Sequence, residues 1–315
     1  MGPTTARLFD AMAEDYDVLE PWYEHLYAVL HRLVCAELAP PDDGRRRRAL
    51  DAGCGAGFQT ALLERLGYAS HGVDIAPRLL AAARLRLATS ALALGNLEAL
   101  PYRDESFDVV TCCGSTLSFV DAPATALREL GRVLRPGGRL LLECEHAWSL
   151  DLGWALVSAL TGDSLGYGLS PVAAWRQLAR RPREGCTVEY PGYGRLRLFT
   201  RSELDAMLTE AGLHPLRWWG IHAVTNVIPS TILHRERLGP LLGAAFRRLR
   251  AVDARLSRFA LVQRLANSLV IVAEKRAPAA EKGPSASLAP LAARSTYREY
   301  ASRAAGGRRL ASGPF

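Results

Sequence analysis

Three glycines follow Asp51 at alternate positions, in the run Asp51-Ala-Gly53-Cys-Gly55-Ala-Gly57-Phe58 of a 315-residue chain. Glycines there allow unusual backbone angles and let a ligand lie directly against the main chain. A helix that begins behind such a loop favours an anionic group at its N-terminus. The pattern predicts a ligand-binding turn between a strand and a helix.

Polar residues also end the next two predicted strands. Asp74 closes the second strand, which neighbours the first in a doubly wound sheet, and a carboxylate there can accept hydrogen bonds from both hydroxyls of a ribose. Asn96 and Leu97 follow the third strand, where a polar side chain and a backbone N–H can meet the edge of an adenine. A helix N-cap is the alternative role for Asp74, and a turn residue is the alternative for Asn96.

The glycine spacing argues against a nicotinamide dinucleotide. The dinucleotide fingerprint GxGxxG places Gly or Ala at its sixth position. Counted from Gly53, that position is Phe58. An NAD-dependent oxidoreductase is therefore a disfavoured alternative.

The elements that position these residues alternate between strand and helix. Strands are predicted at 49–52, 70–75, 91–94, 107–113 and 139–144, and helices at 60–66, 77–88 and 123–134. A capping box at 200–203 opens a later helix, and strands are expected at 216–222 and 268–273. Near-continuous apolar strands alternating with helices indicate a parallel sheet that is covered on both faces.

Five motifs now stand in order: DxGxGxG, VDI, GNLEALPY, FDVV and LRELGRVLRPGGRLLLE. Together they resemble the class I S-adenosylmethionine-dependent methyltransferases, in the small-molecule branch similar to ubiquinone/menaquinone-type enzymes (methyltransferase type 11 domain). The resemblance is strong over 5–145 and weak over 199–276. It implies an α/β, Rossmann-like, doubly wound and mostly parallel sheet with strand order 3-2-1-4-5-7-6 and helical cap insertions. It also implies S-adenosylmethionine as cofactor.

The resemblance further implies which positions bind the cofactor: Asp51, Gly53, Cys54, Gly55, Gly57, Asp74, Ile75, Asn96, Leu97, Cys113 and Tyr16. The glycine loop would surround the methionine part, and Cys113 would offer its carbonyl to the ammonium group. Tyr16 would fold over the cofactor and help position it. Asn96 departs from the family, whose usual residue there is Asp, so the adenine contact would lose charge.

The expected activity is in-line methyl transfer to a small-molecule or lipid-like acceptor, such as a quinone, a polyketide or another apolar secondary metabolite. His146 is the leading candidate for a general base, since the C-terminal ends of parallel strands face the site. Glu143, Glu145, Tyr16, His25 and His222 are weaker candidates, and a structural role is an alternative for each. No Cys or His cluster has metal-ligand spacing, so we expect no metal.

The domain organisation follows from where the alternation stops. We expect an N-terminal helical segment (1–45) that closes the cofactor site, a methyltransferase domain (46–146 and 199–276), an irregular substrate-cap insertion (147–198), an Arg-rich helical insertion (223–266) and a disordered tail (277–315).

The charge distribution bears on partners. The net charge is +7, but residues 1–150 carry −5 and residues 232–276 carry +7, so the basic part is not beside the glycine loop and nucleic acid is not expected. Residues 231–265 hold eight Arg among regularly spaced apolar residues. This stretch can pack on the domain, which we favour, or make peripheral contact with an anionic membrane. Pro240 predicts two helices there.

The remaining composition indicates a cytoplasmic protein. Six Cys are too few for a disulfide scaffold, the N-terminus has no apolar signal segment, and no apolar run is long enough to span a bilayer. A non-catalytic cofactor-binding protein and a peripheral membrane protein stay open as alternatives. The sequence indicates neither the acceptor nor an oligomeric state.

Overall fold

The computed structural model describes residues 3–13, 20–180, 185–190, 194–235 and 237–276. Tyr16 and the predicted tail at 277–315 lie outside the described residues. The described chain is organised around a seven-stranded sheet and a separate two-stranded hairpin.

The parallel strands of the sheet are β1 (Arg48–Ala52), β2 (Ala69–Asp74), β3 (Ala91–Leu94), β4 (Phe107–Cys112) and β5 (Leu134–Glu145). The hairpin consists of β6 (Cys186–Tyr190) and β7 (Gly194–Leu198). Strands β8 (Leu213–Ile221) and β9 (Ser268–Lys275) complete the sheet, and β9 is antiparallel to both of its neighbours, β5 and β8.

The sheet order is β3-β2-β1-β4-β5-β9-β8. Because β6 and β7 form their own hairpin, β8 and β9 are the sixth and seventh strands of the main sheet. Its order along the chain is therefore 3-2-1-4-5-7-6, and the predicted Rossmann-like architecture is confirmed. The carboxyl ends of the parallel strands meet at one edge, where such sheets bind ligands.

Helices cover both faces of this sheet. They are α2 (Pro21–Glu37), α3 (Phe58–Arg65), α4 (Pro77–Arg86), α5 (Pro123–Val133) and α8 (Arg201–Glu210). One core layer joins α5 and α8 to the sheet, and the other joins α2 and α3 to its opposite face. Leu26, Leu30, Leu33 and Val34 of α2 and Leu38 just after it are buried in the second layer.

A short first helix, α1 (Pro3–Met12), precedes α2. The Asp10 carboxylate accepts a hydrogen bond from the main-chain N–H of Arg78, at the start of α4, at 2.9 Å. The guanidinium of Arg78 also donates to the Asp10 carbonyl at 3.1 Å. These contacts hold α1 across the carboxyl edge of the sheet.

The segment 147–198 is more regular than its sequence indicates. It contains α6 (Asp151–Leu160) and α7 (Pro171–Arg180) as well as the hairpin, so the prediction of an irregular insertion is wrong. Glycines with positive φ at 162, 166 and 168 interrupt the helical pattern between the two helices. Side-chain bonds to distant residues, described below, stabilise the segment.

The Arg-rich stretch forms α9 (Ser230–Leu233), α10 (Pro240–Leu256) and α11 (Ala260–Leu265), and Pro240 opens α10. Phe246 is buried against Trp22, as favoured for a packed stripe. In contrast, Leu241, Phe259 and Leu261 are 88%, 60% and 69% exposed. In the described part of the chain, every helix is too short or too polar to cross a bilayer.

Candidate active site: a crevice and an adjoining cavity

A crevice opens at the carboxyl edge of the sheet, where β1, β2 and β4 end. Its described lining residues are Phe9, Gly53, Gly55, Asp74, Ile75, Leu79, Leu97, Gly114 and Thr116. They come from α1, from the loops after four parallel strands and from the first turns of α4. Five of the eleven predicted cofactor-binding residues lie here: Gly53, Gly55, Asp74, Ile75 and Leu97.

The glycine loop forms one wall of the crevice with its main chain. Gly53, Gly55 and Gly57 have φ angles of +78°, +49° and +84°, in the left-handed region that favours glycine. The N–H groups of Gly53 and Cys54 donate to the Val73 carbonyl at 2.8 and 3.0 Å, which pins the loop to β2. A Cβ on Gly53 would lie 2.3 Å from Cγ2 of Thr116. The loop therefore presents backbone to any ligand here.

The Asp74 carboxylate binds main-chain N–H groups of the glycine loop and of Ala76, which is the N-cap residue of α4. Its Oδ1 accepts the N–H of Ala76 at the start of α4 at 2.9 Å, and its Oδ2 accepts the N–H of Gly55 at 2.8 Å. The side chain is buried yet lines the crevice, and burial raises the pKa of its carboxyl group. Each carboxylate oxygen can accept a second hydrogen bond. Asp74 can therefore hold the loop and a sugar hydroxyl at the same time.

Apolar side chains complete the crevice. Ile75, Leu79 and Leu97 line it, as does Phe9 of α1, whose ring packs edge-on against Phe119 at a centroid distance of 5.0 Å. A buried carboxyl beside flat apolar walls and an open backbone loop suits a nucleoside that carries a vicinal diol. The residues present thus fit an adenosyl cofactor.

Asp51 lies beneath the crevice and does not line it. Its two carboxylate oxygens accept the hydroxyls of Thr60 at 2.7 Å and Thr111 at 2.8 Å. These bonds tie β1 to α3 and to β4. Burial raises the pKa of the Asp51 carboxyl to about 6. These contacts are structural, and the place of Asp51 around the cofactor stays a prediction.

The other predicted positions lie around the crevice without lining it. Asn96 accepts the N–H of Glu98 at 3.1 Å, as in its alternative role as a turn residue. The Cys113 carbonyl accepts the Thr116 hydroxyl at 2.7 Å, and Cys54 is buried. Gly57 is the N-cap residue of α3.

A larger cavity adjoins the crevice. The described residues that line it are Trp22, Tyr23, Ser115, Phe119, Glu145, His146, Ser149, Asp151, Leu152, Ala155, Tyr167, Leu169, Gln177, Val188, Glu189, Leu196, Leu198, His234 and Asn267. Helix α6 and the β6–β7 hairpin supply much of its apolar wall. Among these residues there are carboxyl and imidazole groups but no Lys or Arg. The described residues hold no group of three or more acids, Cys or His placed to bind a metal.

The loop 114–116 separates the two spaces. Gly114 and Thr116 line the crevice, whereas Ser115 lines the cavity. Ser115 has a φ of +59°, which is unusual for a residue other than glycine. Its N–H donates to Oε2 of Glu143 at 2.6 Å, and its hydroxyl donates to Oε1 of Glu145 at 2.7 Å. The two carboxyl groups thus hold the strained loop in place.

Glu143 and Glu145 are both buried at the end of β5. Burial raises the pKa of Glu143, and burial together with the Glu143 charge raises the pKa of Glu145. Asn267 donates to Oε2 of Glu145 at 2.8 Å and fixes the carboxyl from the β9 side. Glu145 lines the cavity, so a proton acceptor of raised basicity stands there.

His146 also lines the cavity. Its Nδ1 lies 3.0 Å from the Ala266 carbonyl, which can only accept, so Nδ1 is the donor of this hydrogen bond. The weaker candidates His25 and His222 are absent from the lining of the cavity; His25 pairs with buried Asp253 at 2.9 Å. Burial lowers the pKa of His222 well below its usual value.

Two pairs in the cavity wall join residues that are far apart in sequence. Asp151 of α6 accepts the Tyr167 hydroxyl at 2.5 Å and the Ser230 N–H at 3.0 Å. His234 lies with its Nδ1 2.7 Å from Oε2 of Glu20. Sequence reasoning missed both, because no local pattern links Asp151 with Ser230 or Glu20 with His234.

Comparison with known proteins matches the crevice region. Residues 50–142 match the family described as "Methyltransferase domain". The chain is 39% identical over 143 residues to a malonyl-[acyl-carrier protein] O-methyltransferase of Halorhodospira halophila, covering 43% of this chain and 45% of that protein. It is 34% identical over 142 residues to a demethylmenaquinone methyltransferase of Corynebacterium kroppenstedtii, covering 45% and 59%. The chain spans about half the length of these curated relatives.

A solved structure has the same fold. It is a chain from the complex of the Haloferax volcanii Trm112 methyltransferase activator with a methyltransferase, at 17% identity and a TM-score of 0.54. The match covers 88% of this chain and all of that one. The similarity therefore extends beyond the matched domain at the level of the fold.

Proposed function

Because residues 50–142 form a methyltransferase domain on a class I methyltransferase fold, we propose that the chain transfers a methyl group from S-adenosylmethionine to an apolar small-molecule or lipid-like acceptor. S-adenosylmethionine is the cofactor of this class of domain. The observation that carries the proposal is the pair of adjoining spaces that share the loop 114–116, one suited to a nucleoside and the other to an apolar acceptor.

The cofactor would be held by the crevice. Asp74 would accept the ribose hydroxyls, Ile75 and Leu97 would lie against the adenine, and the glycine loop would approach the methionine part. When bound, the cofactor supplies an electrophilic methyl group on a sulfonium. The Asn96 side chain, the Cys113 carbonyl and Tyr16 remain predicted contacts.

The chain's own contribution is to align the acceptor and exclude water. Holding two reactants in line can lower a barrier by about 7–11 kcal/mol. Leu152, Val188 and Leu198 supply part of an apolar wall that suits a quinone or polyketide ring.

Six cysteines, all free thiols, support a reducing and therefore cytoplasmic location.

The experiment is incubation with S-adenosylmethionine carrying a labelled methyl group and with fractions of host-cell extract, followed by mass identification of the labelled product. We expect label in an apolar small-molecule fraction. Tight binding of S-adenosylhomocysteine without any labelled product would favour a non-catalytic cofactor-binding protein. Binding of NAD in the crevice in place of S-adenosylhomocysteine would favour an oxidoreductase.

A further inference from the structure

Two carboxyl groups are buried at the end of β5. Glu143 and Glu145 lie beside strands whose other inward residues are almost entirely apolar. Burial of a carboxyl group is unfavourable, and groups of raised pKa that face a cavity are concentrated at functional sites. Glu145 meets both conditions, because it is buried and lines the cavity.

We propose that Glu145 is the general base of the methyl transfer and that the acceptor presents a neutral hydroxyl group on a phenol or an enol. This inference rests on the proposed function. Its basis is the hydrogen bond from Ser115 to Glu145, which connects the carboxyl directly to the loop between cofactor crevice and acceptor cavity. A group attached there stands where the nucleophile must be deprotonated.

The environment of Glu145 suits proton transfer from such a hydroxyl. An ordinary glutamate has a pKa of about 4.3 and a phenol about 10, so proton transfer between them is strongly uphill. Burial raises the pKa of Glu145, and the negative charges of Glu143 on the same strand and Asp151 on α6 raise it further. Ser115 and Asn267 donate to its two oxygens and fix its orientation. The raised pKa of Glu145 reduces the pKa difference between the base and the hydroxyl group. A base also works best when its pKa is near the working pH.

The charges of the cavity argue against a carboxylate acceptor. The described lining residues include the carboxyl groups of Glu145, Asp151 and Glu189 and the imidazoles of His146 and His234, without a guanidinium or ammonium group. A carboxylate nucleophile would lose its hydration without gaining a cationic partner, which is costly. A neutral hydroxyl meets no such penalty, and Glu145 can accept its proton.

His146 is the neighbouring candidate, but its contacts differ. Its Nδ1 donates to the Ala266 carbonyl, and its main-chain N–H donates to the Asn267 carbonyl at 2.7 Å. Glu145, like Glu143, accepts a hydrogen bond from Ser115 of the loop 114–116, and of these two carboxyl groups Glu145 is the one that lines the cavity. We therefore assign the proton to Glu145 and a contact with the acceptor to His146.

The proposed methyl transfer consists of one proton transfer and one displacement at the methyl carbon. Glu145 takes the proton of the acceptor hydroxyl, and the oxygen lone pair forms a bond to the methyl carbon. The bond between that carbon and the sulfonium sulfur breaks, and its electron pair stays on sulfur to give a neutral thioether. The products are a methyl ether and S-adenosylhomocysteine, and the proton on Glu145 later returns to water.

The test uses the extract fraction that the wild type labels. Glu145→Gln should lower kcat by about 10²–10⁴-fold, with S-adenosylhomocysteine affinity and thermal unfolding near those of the wild type. Glu274→Gln is the matched control, since Glu274 lies on β9 outside the described lining of both spaces and pairs with Arg139 at 3.7 Å. It should keep wild-type turnover. His146→Ala should lower kcat less than Glu145→Gln does.

A second measurement keeps the inference testable if Glu145→Gln fails to fold. In the wild type, kcat/KM should rise with pH and level off well above the usual range of a carboxylic acid. Two results would overturn the assignment of the base. One is a kcat/KM that no longer rises with pH above the usual range of a carboxylic acid. The other is a folded Glu145→Gln variant that turns over within about threefold of the wild type. A product methylated on a carboxylate or on nitrogen would overturn the substrate class. If the wild type labels nothing, the proposed function itself fails.

Discussion

Replacing Asp74 by Ala tests the nucleoside site directly. The carboxyl group is the buried acceptor in the crevice, where we expect it to bind two ribose hydroxyls while it holds the N–H groups of Gly55 and Ala76. A hydrogen bond to a charged group contributes about 1.5–3 kcal/mol, so two such bonds contribute about 3–6 kcal/mol. At 1.4 kcal/mol for each factor of ten, Kd should rise by about 10²–10⁴-fold.

The same substitution affects folding, and the two effects must be separated. Each amide left without an acceptor costs about 1–3 kcal/mol when buried, and less where water in the crevice can replace the carboxylate. Asp74→Asn keeps the size of the side chain and one carbonyl oxygen, so it should lose less affinity and less stability than Asp74→Ala. Thermal unfolding of each variant is therefore measured alongside binding.

Calorimetric titration with S-adenosylhomocysteine, below the unfolding temperature of every variant, gives the affinities. Asp104→Asn is the control, because its side chain is 73% exposed, pairs with Arg132 and lies outside the crevice. Its affinity should match that of the wild type. A folded Asp74→Ala protein whose Kd stays within about threefold of the wild type would refute the assignment of Asp74 to the sugar.

Three further predictions concern the glycine loop, Asp51 and the exposed apolar residues near α11. Gly53→Ala should lower the unfolding free energy more than Gly44→Ala in urea titrations, since both glycines have positive φ but only at Gly53 does a Cβ meet a side chain, at 2.3 Å; equal losses would contradict this. Asp51→Asn should gain about 1.4 kcal/mol relative to the wild type between pH 5 and pH 7.5. The folded pKa of Asp51, about 6, lies above its unfolded value, so its protonation stabilises the fold at low pH and this stabilisation is lost as pH rises through 6; an unchanged difference would contradict it. Vesicles containing anionic lipid should co-sediment the protein at low salt, and a Phe259→Ser, Leu261→Ser double variant should bind less, whereas equal binding to neutral vesicles would contradict electrostatic attachment through α10 and α11.

The crevice was largely predictable because its parts lie in short, ordered patterns. A glycine loop and an acid after the next strand are fixed by the alternation of strand and helix, and parallel strands bring their carboxyl ends together. The hydrogen bonds within that set were not predictable. Thr60 and Thr111 donate to the two carboxylate oxygens of Asp51, and no pattern in the sequence marks either threonine as its partner. The contact of Asp51 with the cofactor stays a prediction.

The cap and the cavity were much less predictable, since their bonds join distant segments. Asp151 binds Ser230, 79 residues away, and Glu20 binds His234, 214 residues away. Glu145 illustrates the same limit. Its alternation with apolar neighbours indicated a strand, but only the antiparallel pairing of β5 with β9 buries it and brings Asn267 to its carboxyl group.

This difference determines what the relatives can say about the acceptor. The matched domain at 50–142 contains every described lining residue of the crevice except Phe9. Of the cavity lining it contains only Ser115 and Phe119. The family pattern therefore bears on the cofactor and leaves the acceptor to residues outside the match. A relative named for a malonyl-[acyl-carrier protein] acceptor and a cavity whose described lining residues include no Lys or Arg are compatible for this reason. The acceptor is better inferred from the carboxyl groups that line this cavity than from the names of proteins that share the crevice.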